Sequence, residues 1–115
     1  MLLRLNTSDS APLHEQVAGA IRRAVAEGEC APGDRLPSAR ELSQALGVNA
    51  NTVLRGLRTL RDEGLLEFRR GRGVTVAQGA PERSALVDRV RELVADAARL
   101  GYGRTELIDL IKEVP

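Results

Sequence analysis

The fold is decided by the stretch LPSARELSQALGVNANTVLRGLRTL, residues 36–60, which contains two short helical patterns. The first follows Ser38, a residue type that caps helices, and Glu41 completes a Ser-x-x-Glu capping box. Gly47 ends this helix. The next helix begins near Asn49, which is also a capping residue type. A short helix, a tight turn and a second helix predict a helix-turn-helix motif.

Upstream of this motif, an apolar stripe predicts another helix that opens at Pro12 and ends near Gly28. The stripe repeats at helical spacing through Leu13, Val17, Ile21 and Ala24. Residues 31–34, Ala-Pro-Gly-Asp, are typical of a turn. Residues 1–6 are expected to form a short strand or an ordered arm.

Downstream, residues 65–70 and 74–77 are two short strand candidates. Gly71-Arg72-Gly73 joins them as a hairpin turn, because glycine adopts the backbone angles that such turns need. The predicted fold is therefore mainly α with a small β-hairpin wing, a winged helix-turn-helix.

The rest of the chain predicts a two-helix tail after a short linker at residues 78–81. Its helices are expected at residues 84–100 and 105–114, separated by Gly101-Tyr102-Gly103. The domain prediction is a winged helix-turn-helix DNA-binding domain over residues 1–77. A helical tail for dimerisation follows over residues 78–115. The sequence leaves open whether this tail also binds an effector.

Composition favours a cytoplasmic protein with an aliphatic core. Apolar residues make up 43% of the chain, and Phe68 and Tyr102 are the only aromatic residues. The single cysteine, Cys30, excludes an internal disulfide and favours a reducing compartment. No apolar run approaches a membrane span, and Arg4 comes too early for a signal peptide.

Positive charge is concentrated in the predicted winged motif. Residues 38–76 carry seven arginines and four acidic residues, a net charge of +3. Residues 77–115 carry six basic and seven acidic residues, a net charge of −1. This distribution indicates a nucleic-acid partner for the winged motif.

The helix that begins near Asn49 is the candidate reading element. At 100° per residue, its inward stripe is Val53, Leu57 and Leu60, and the opposite face carries Asn51, Arg55 and Arg58. Its leading turn is Asn49, Ala50, Asn51 and Thr52. In a major groove about 12 Å wide, asparagine can read adenine, arginine can bind guanine or phosphate, and alanine can contact a thymine methyl. The alternative is that Asn49 only caps and that the arginines are solvated.

The hairpin tip offers a second contact. Its arginines, Arg69, Arg70 and Arg72, surround two glycines without side chains. Such a narrow basic tip can enter a minor groove about 6 Å wide. The alternative is a hairpin that is simply solvated.

Four motifs, in their order along the chain, resemble those of the GntR family of bacterial regulators. The resemblance covers residues 12–76. The motifs are LPSARELS at 36–43, LGVNANTV at 46–53, EGLL at 63–66 and RGRGV at 70–74. Asn49-x-Asn51-Thr52-Val53 and the short tail are similar to the YtrA-like subfamily. The resemblance implies DNA contacts at Arg40, in the reading turn and at the wing tip.

The sequence departs from the family at a few positions. Ala50 and Leu54 stand where many members have arginine, so base preference does not carry over. Gly56 stands where relatives often have alanine, and it is expected to weaken its helix by up to about 1 kcal/mol. The predicted DNA-binding set is Ser38, Arg40, Asn49, Ala50, Asn51, Thr52, Arg55, Arg58, Arg70, Gly71, Arg72 and Gly73.

The tail carries more apolar surface than one helical hairpin can bury. Dimerisation is therefore expected, as in the YtrA-like group, through Leu86, Val90, Leu93, Val94, Ala97, Leu107, Ile108 and Ile111. Two alternatives stay open. Both helices could pack back onto the winged domain, or an unidentified small-molecule effector could bind between them.

No catalytic residue, metal or cofactor is expected. His14 is the only histidine and has no partner in the sequence, and Cys30 lacks the spacing of a metal site. We predict a transcriptional regulator, with repression preferred, that binds an inverted-repeat operator as a homodimer. A protein-interaction module is the alternative, because winged-helix folds also dock proteins. Salt-dependent binding to duplex DNA separates the two.

Overall fold

A computed structural model describes Leu5 and residues 11–115, so the arm predicted at residues 1–6 lies outside the described residues apart from Leu5. The chain divides into two compact units, Met1–Ser84 and Ala85–Pro115. The elements are α1 (Leu13–Ala26), α2 (Ala39–Leu46), α3 (Ala50–Asp62), β1 (Leu66–Arg69), β2 (Gly73–Val76), α4 (Ala80–Arg99) and α5 (Arg104–Glu113). This confirms the predicted fold, mainly helical with one two-stranded hairpin.

The turn between α2 and α3 is fixed by local hydrogen bonds. The Glu41 N–H donates to Ser38 Oγ at 3.1 Å, and the Ser38 N–H donates to Glu41 Oε1 at 3.2 Å. At the other end of α2, Gly47 adopts a φ of 69°, which favours glycine. Ser43 Oγ then donates to the Val48 carbonyl at 2.8 Å. These contacts confirm the predicted capping box and the turn at Gly47.

The core of the first unit is aliphatic and lies between α1 and α3. Val17 and Ile21 of α1 are fully buried. The predicted inward stripe of α3 is also fully buried, at Val53, Leu57 and Leu60. Leu42 from α2 joins the same cluster. Because this stripe is covered, the opposite face of α3 is left to solvent.

Gly56 has a packing role that its sequence context did not reveal. A Cβ at this position would lie 3.0 Å from the His14 carbonyl oxygen and 3.0 Å from Val17 Cγ1. The glycine therefore allows the backbone of α3 to approach α1. The low helix propensity of glycine weakens α3 locally, and the close approach of the two helices accompanies this loss.

The wing is an antiparallel hairpin in which Leu66 pairs with Val76 and Arg69 pairs with Gly73. Gly73 therefore opens β2, although the sequence placed it in the turn. A third segment lies along β2, since Arg35 forms an isolated bridge with Thr75. The Leu36 N–H also donates to the Val74 carbonyl at 2.8 Å.

Helix α4 begins at Ala80, four residues before the expected start at Ser84. Pro81 is compatible with a first helical turn, so the predicted linker at residues 78–81 is wrong in its second half. Ser84 is fully buried, and its hydroxyl donates to the Arg22 carbonyl at 3.0 Å. This long-range contact fixes the first turn of α4 within the first unit.

The second unit consists of the remainder of α4 and the whole of α5. Gly101 ends α4 with a φ of 86°, and the Tyr102 N–H donates to the Ala97 carbonyl at 2.8 Å. The 6→1 bond is that of a Schellman C-cap. Among the described residues, no helix is both long and apolar enough to cross a membrane.

Candidate nucleic-acid interface

The leading turn of α3 faces solvent. Asn49, Ala50 and Asn51 are exposed, and Thr52 is half-buried. The Asn51 N–H donates to Asn49 Oδ1 at 2.8 Å. Asn49 is therefore the N-cap, and its amide NH₂ keeps its two donors for another acceptor. The Asn51 side chain projects from the same exposed turn, as the sequence predicted.

Arg55 and Arg58 lie further along α3 and are both exposed. Within the described part of the chain, neither guanidinium forms a hydrogen bond or an ion pair. Since the opposite stripe of α3 is buried, these two side chains give the open face an uncompensated positive charge.

The first turn of α2 adds Ser38 and Arg40, which are also exposed. The Ser38 hydroxyl oxygen accepts a hydrogen bond from the Glu41 N–H. The hydrogen bond from the Ser38 backbone, with a second contribution from its side chain, holds the pKa of the Glu41 carboxyl below its usual range. Glu41 is thus committed to the cap in its charged form.

Two glycines shape the wing tip. Gly71 and Gly73 have φ values of 79° and 73°, in the region that favours glycine. The Arg72 N–H donates to the Arg69 carbonyl at 3.0 Å and closes the loop. All four of the predicted tip residues, Arg70, Gly71, Arg72 and Gly73, are exposed.

The three wing arginines differ in their surroundings. Arg69 Nη2 lies 2.8 Å from Glu67 Oε2, so this charge is paired on the hairpin itself. Arg70 and Arg72 make no side-chain hydrogen bond or ion pair among the described residues. The tip therefore presents two arginines, not three, that are ready for an anionic partner.

Arg35 is an exposed cation that the sequence reasoning missed. Its backbone pairs with Thr75, and its Nε lies 3.4 Å from the point where a Cβ on Gly73 would stand. The charge of Arg35 is also a minor cause of the lowered pKa of Glu41. No local pattern marks this residue, because only the non-local pairing with β2 brings it to the wing.

The structure brings part of the predicted set around one cleft of about 480 Å³ between α2, α3 and the hairpin. Ser38, Arg70 and Gly73 line this cleft together with Arg35. Asn51, Arg55 and Arg58 do not line it, and they belong to the open face of α3. The candidate interface thus has an exposed helix face and a basic hairpin beside a cleft.

The predicted dimerisation residues differ in how far the single chain exposes them. Ala97 and Leu107 are only 7% exposed, so both side chains are buried within the single chain. Val94 is half-buried. The remaining members are exposed: Leu86, Val90, Leu93, Ile108 and Ile111.

A family model described as bacterial regulatory proteins, gntR family, matches residues 13–76, more than half of the chain. Over nearly its full length the chain is similar to the HTH-type transcriptional repressor YtrA of Bacillus subtilis (strain 168). The two are 29% identical over 119 residues, which cover 98% of this chain and 92% of YtrA.

Two solved structures agree with this match. YtrA from Sulfolobus acidocaldarius, a GntR-family transcription factor, has a TM-score of 0.65 and 33% identity, covering 81% of this chain and 98% of that one. AraR(DBD) in complex with operator ORX1 has a TM-score of 0.61 and 29% identity, covering 66% of this chain and 96% of that one. The chain therefore belongs to the GntR family of DNA-binding transcriptional regulators.

Proposed function

We propose that this regulator represses transcription by binding, as a homodimer, to an inverted-repeat DNA operator. The observation that carries the proposal is that the leading turn of α3 and the basic tip of the hairpin are both exposed. Similarity to a repressor and to a domain solved on its operator supports the same role.

In this proposal α3 enters the major groove with its N-terminal turn foremost. Asn51 reads an adenine edge with its amide, and Ala50 contacts a thymine methyl. Arg55 and Arg58 bind phosphate or guanine, since neither has an acidic partner within the described residues. Phosphate contacts set the position of the helix, and base contacts set the sequence that it prefers.

The wing and α2 hold the duplex on either side of this helix. Arg72, on a tip narrowed by glycines, is proposed to enter the adjacent minor groove, where the negative potential attracts guanidinium groups. Ser38 and Arg40 are proposed to contact the backbone from the first turn of α2. Arg35, which lies over the start of β2, extends this basic border.

The homodimer is proposed to form through the tail. Val90 is 49% exposed and Ile111 is 57% exposed, and apolar surface of this kind is usually covered by a partner. A two-fold dimer would present two copies of α3 to half-sites about 34 Å apart, one helical turn of DNA. The inverted repeat then follows from the symmetry of the protein.

Selection of bound duplexes from a random pool, with the purified protein, tests this function. We expect an inverted repeat to be enriched, with an affinity that falls steeply as salt is raised. Asn51→Ala should cost about 1–3 kcal/mol of discrimination at one base pair of each half-site. Gln78→Ala, an exposed amide outside the interface, is the matched control.

Two results would contradict the proposal. If Asn51→Ala selects the same DNA sequences as the unmodified chain, Asn51 does not read a base. Undetectable binding to every duplex at low salt would favour a protein-docking role for the winged helix.

A further inference from the structure

The cleft between α2, α3 and the hairpin has the size of a small-molecule site. Its volume is about 480 Å³, and such sites usually enclose about 300–1,000 Å³. It lies entirely within the first unit, and it is distinct from the tail, where the sequence left an effector site open.

The lining of the cleft is largely apolar. Leu36 and Leu57, both buried, contribute to the lining, together with Val74 of β2. Leu54 is half-buried. Phe68, the only phenylalanine in the chain, is 38% exposed, so part of its ring faces the solvent. Arg61 lies 4.8 Å from the centre of the Phe68 ring, a cation–π contact that orients this ring. An apolar ligand would remove these side chains from water.

Cations stand among these apolar groups. Arg35, Arg69 and Arg70 line the cleft, and none of its described lining residues is acidic. Arg69 is paired with Glu67, whereas Arg35 and Arg70 make no side-chain hydrogen bond among the described residues. A guanidinium group binds a carboxylate through two parallel hydrogen bonds. The lining therefore matches a ligand that has one anionic group and an apolar body.

We propose that this cleft binds an amphipathic carboxylate, with the carboxylate on Arg35 and Arg70 and the alkyl or aryl body against Leu54 and Phe68. Ser38, Arg70 and Gly73 line the cleft and also belong to the predicted DNA-binding set. Bound ligand and duplex DNA therefore compete, and the ligand acts as an inducer. This second step rests on the proposed function, whereas binding to the cleft does not.

Octanoate is the probe, and 1-octanol is the neutral control of matched chain length. In methyl NMR spectra of the full chain, octanoate should shift the resonances of Leu54 and Val74 in a saturable way. Arg35→Gln and Arg70→Gln should each weaken octanoate binding about tenfold, the loss of one charge-assisted hydrogen bond. Arg104→Gln, an exposed arginine on α5, should leave binding unchanged.

Competition is measured with a duplex of the selected sequence. At an octanoate concentration ten times its dissociation constant, the apparent dissociation constant of the duplex should rise about elevenfold. Unchanged duplex affinity at saturation would overturn the inducer role. Shifts confined to α4 and α5, no saturable shift, or equal shifts with 1-octanol would overturn the cleft assignment. Saturable shifts at the cleft without any duplex binding would support the site and contradict the proposed function alone.

Discussion

At the residue scale, Gly56 allows α1 and α3 to pack closely, although glycine has a low helix propensity. Replacement by alanine improves helix propensity by about 1 kcal/mol. However, the new methyl would lie 3.0 Å from the His14 carbonyl oxygen, a backbone atom that moves only with α1. Overpacking of a filled core costs about 1–3 kcal/mol. We expect Gly56→Ala to lower the free energy of unfolding by about 1 kcal/mol, measured by urea denaturation.

Gly19 provides the matched control on α1. A Cβ there would meet only the end of the flexible Arg23 side chain, at 3.4 Å. Gly19→Ala should therefore raise the free energy of unfolding by up to about 1 kcal/mol. A Gly56→Ala variant that gains as much stability as Gly19→Ala would show that α1 and α3 can separate without cost.

At the element scale, the start of α2 depends on a charged carboxyl. Hydrogen bonds from Ser38 keep the pKa of Glu41 below its usual value. A carboxyl with a lowered pKa stabilises the folded state above its unfolded pKa, and this contribution is lost as the pH falls through the folded pKa. Glu41→Gln should therefore be less stable than the unmodified chain at neutral pH, and the difference should shrink in acid.

Thermal unfolding at a series of pH values measures this effect. Glu113→Gln, a substitution at an exposed position near the end of α5, is the control and should leave the pH profile unchanged. A difference between Glu41→Gln and the unmodified chain that stays constant down to strongly acidic pH would contradict the charged cap.

The elements whose ends depend on local chemistry are those that the sequence predicted well. The caps of α2 and α3 use residues within three positions of each helix start, at Ser38, Glu41 and Asn49. The start of α4 was misplaced because its first turn is fixed by Ser84 on the distant Arg22 carbonyl. Arg35 was missed for the same reason, since its place depends on pairing with β2.

In the wing, ion pairing within the hairpin decides how much each arginine contributes to DNA binding. Arg72 makes no side-chain hydrogen bond among the described residues, whereas Arg69 is bound to Glu67 at 2.8 Å. We expect Arg72→Ala to weaken binding to the selected duplex and to reduce the slope of log affinity against log salt by about 1. Arg69→Ala should change the slope less, because Glu67 already neutralises that charge. Equal slopes for Arg72→Ala and the unmodified chain would place the tip outside the DNA.

At the scale of the whole molecule, helix α4 belongs to both units. Its first turn is held in the first unit by Ser84, and by Arg83, which donates to the Glu63 carbonyl at the end of α3. Glu63 also accepts hydrogen bonds from the buried Arg22 of α1, the shortest at 2.7 Å. α1, the C-terminal end of α3 and the first turn of α4 therefore share one polar cluster within the first unit.

The proposed dimer can be tested from the tail itself. Val90, half exposed on α4, lies on the apolar stripe with Leu86 and Leu93. A glutamate there would place a charge in the apolar interface, where desolvation is costly. We expect Val90→Glu to raise the dimer dissociation constant at least about a hundredfold, measured by sedimentation equilibrium.

The same variant separates dimerisation from DNA reading. Ala95 lies on the opposite side of α4, so Ala95→Glu introduces the same charge outside the stripe and should leave the dimer intact. Val90→Glu should bind the inverted repeat more weakly than the unmodified chain does. Its affinity for a single half-site should be unchanged, because α3 and the wing are unchanged. A monomer that binds the full repeat as tightly as the unmodified chain would show that each copy of α3 acts alone. The tail would then need another role.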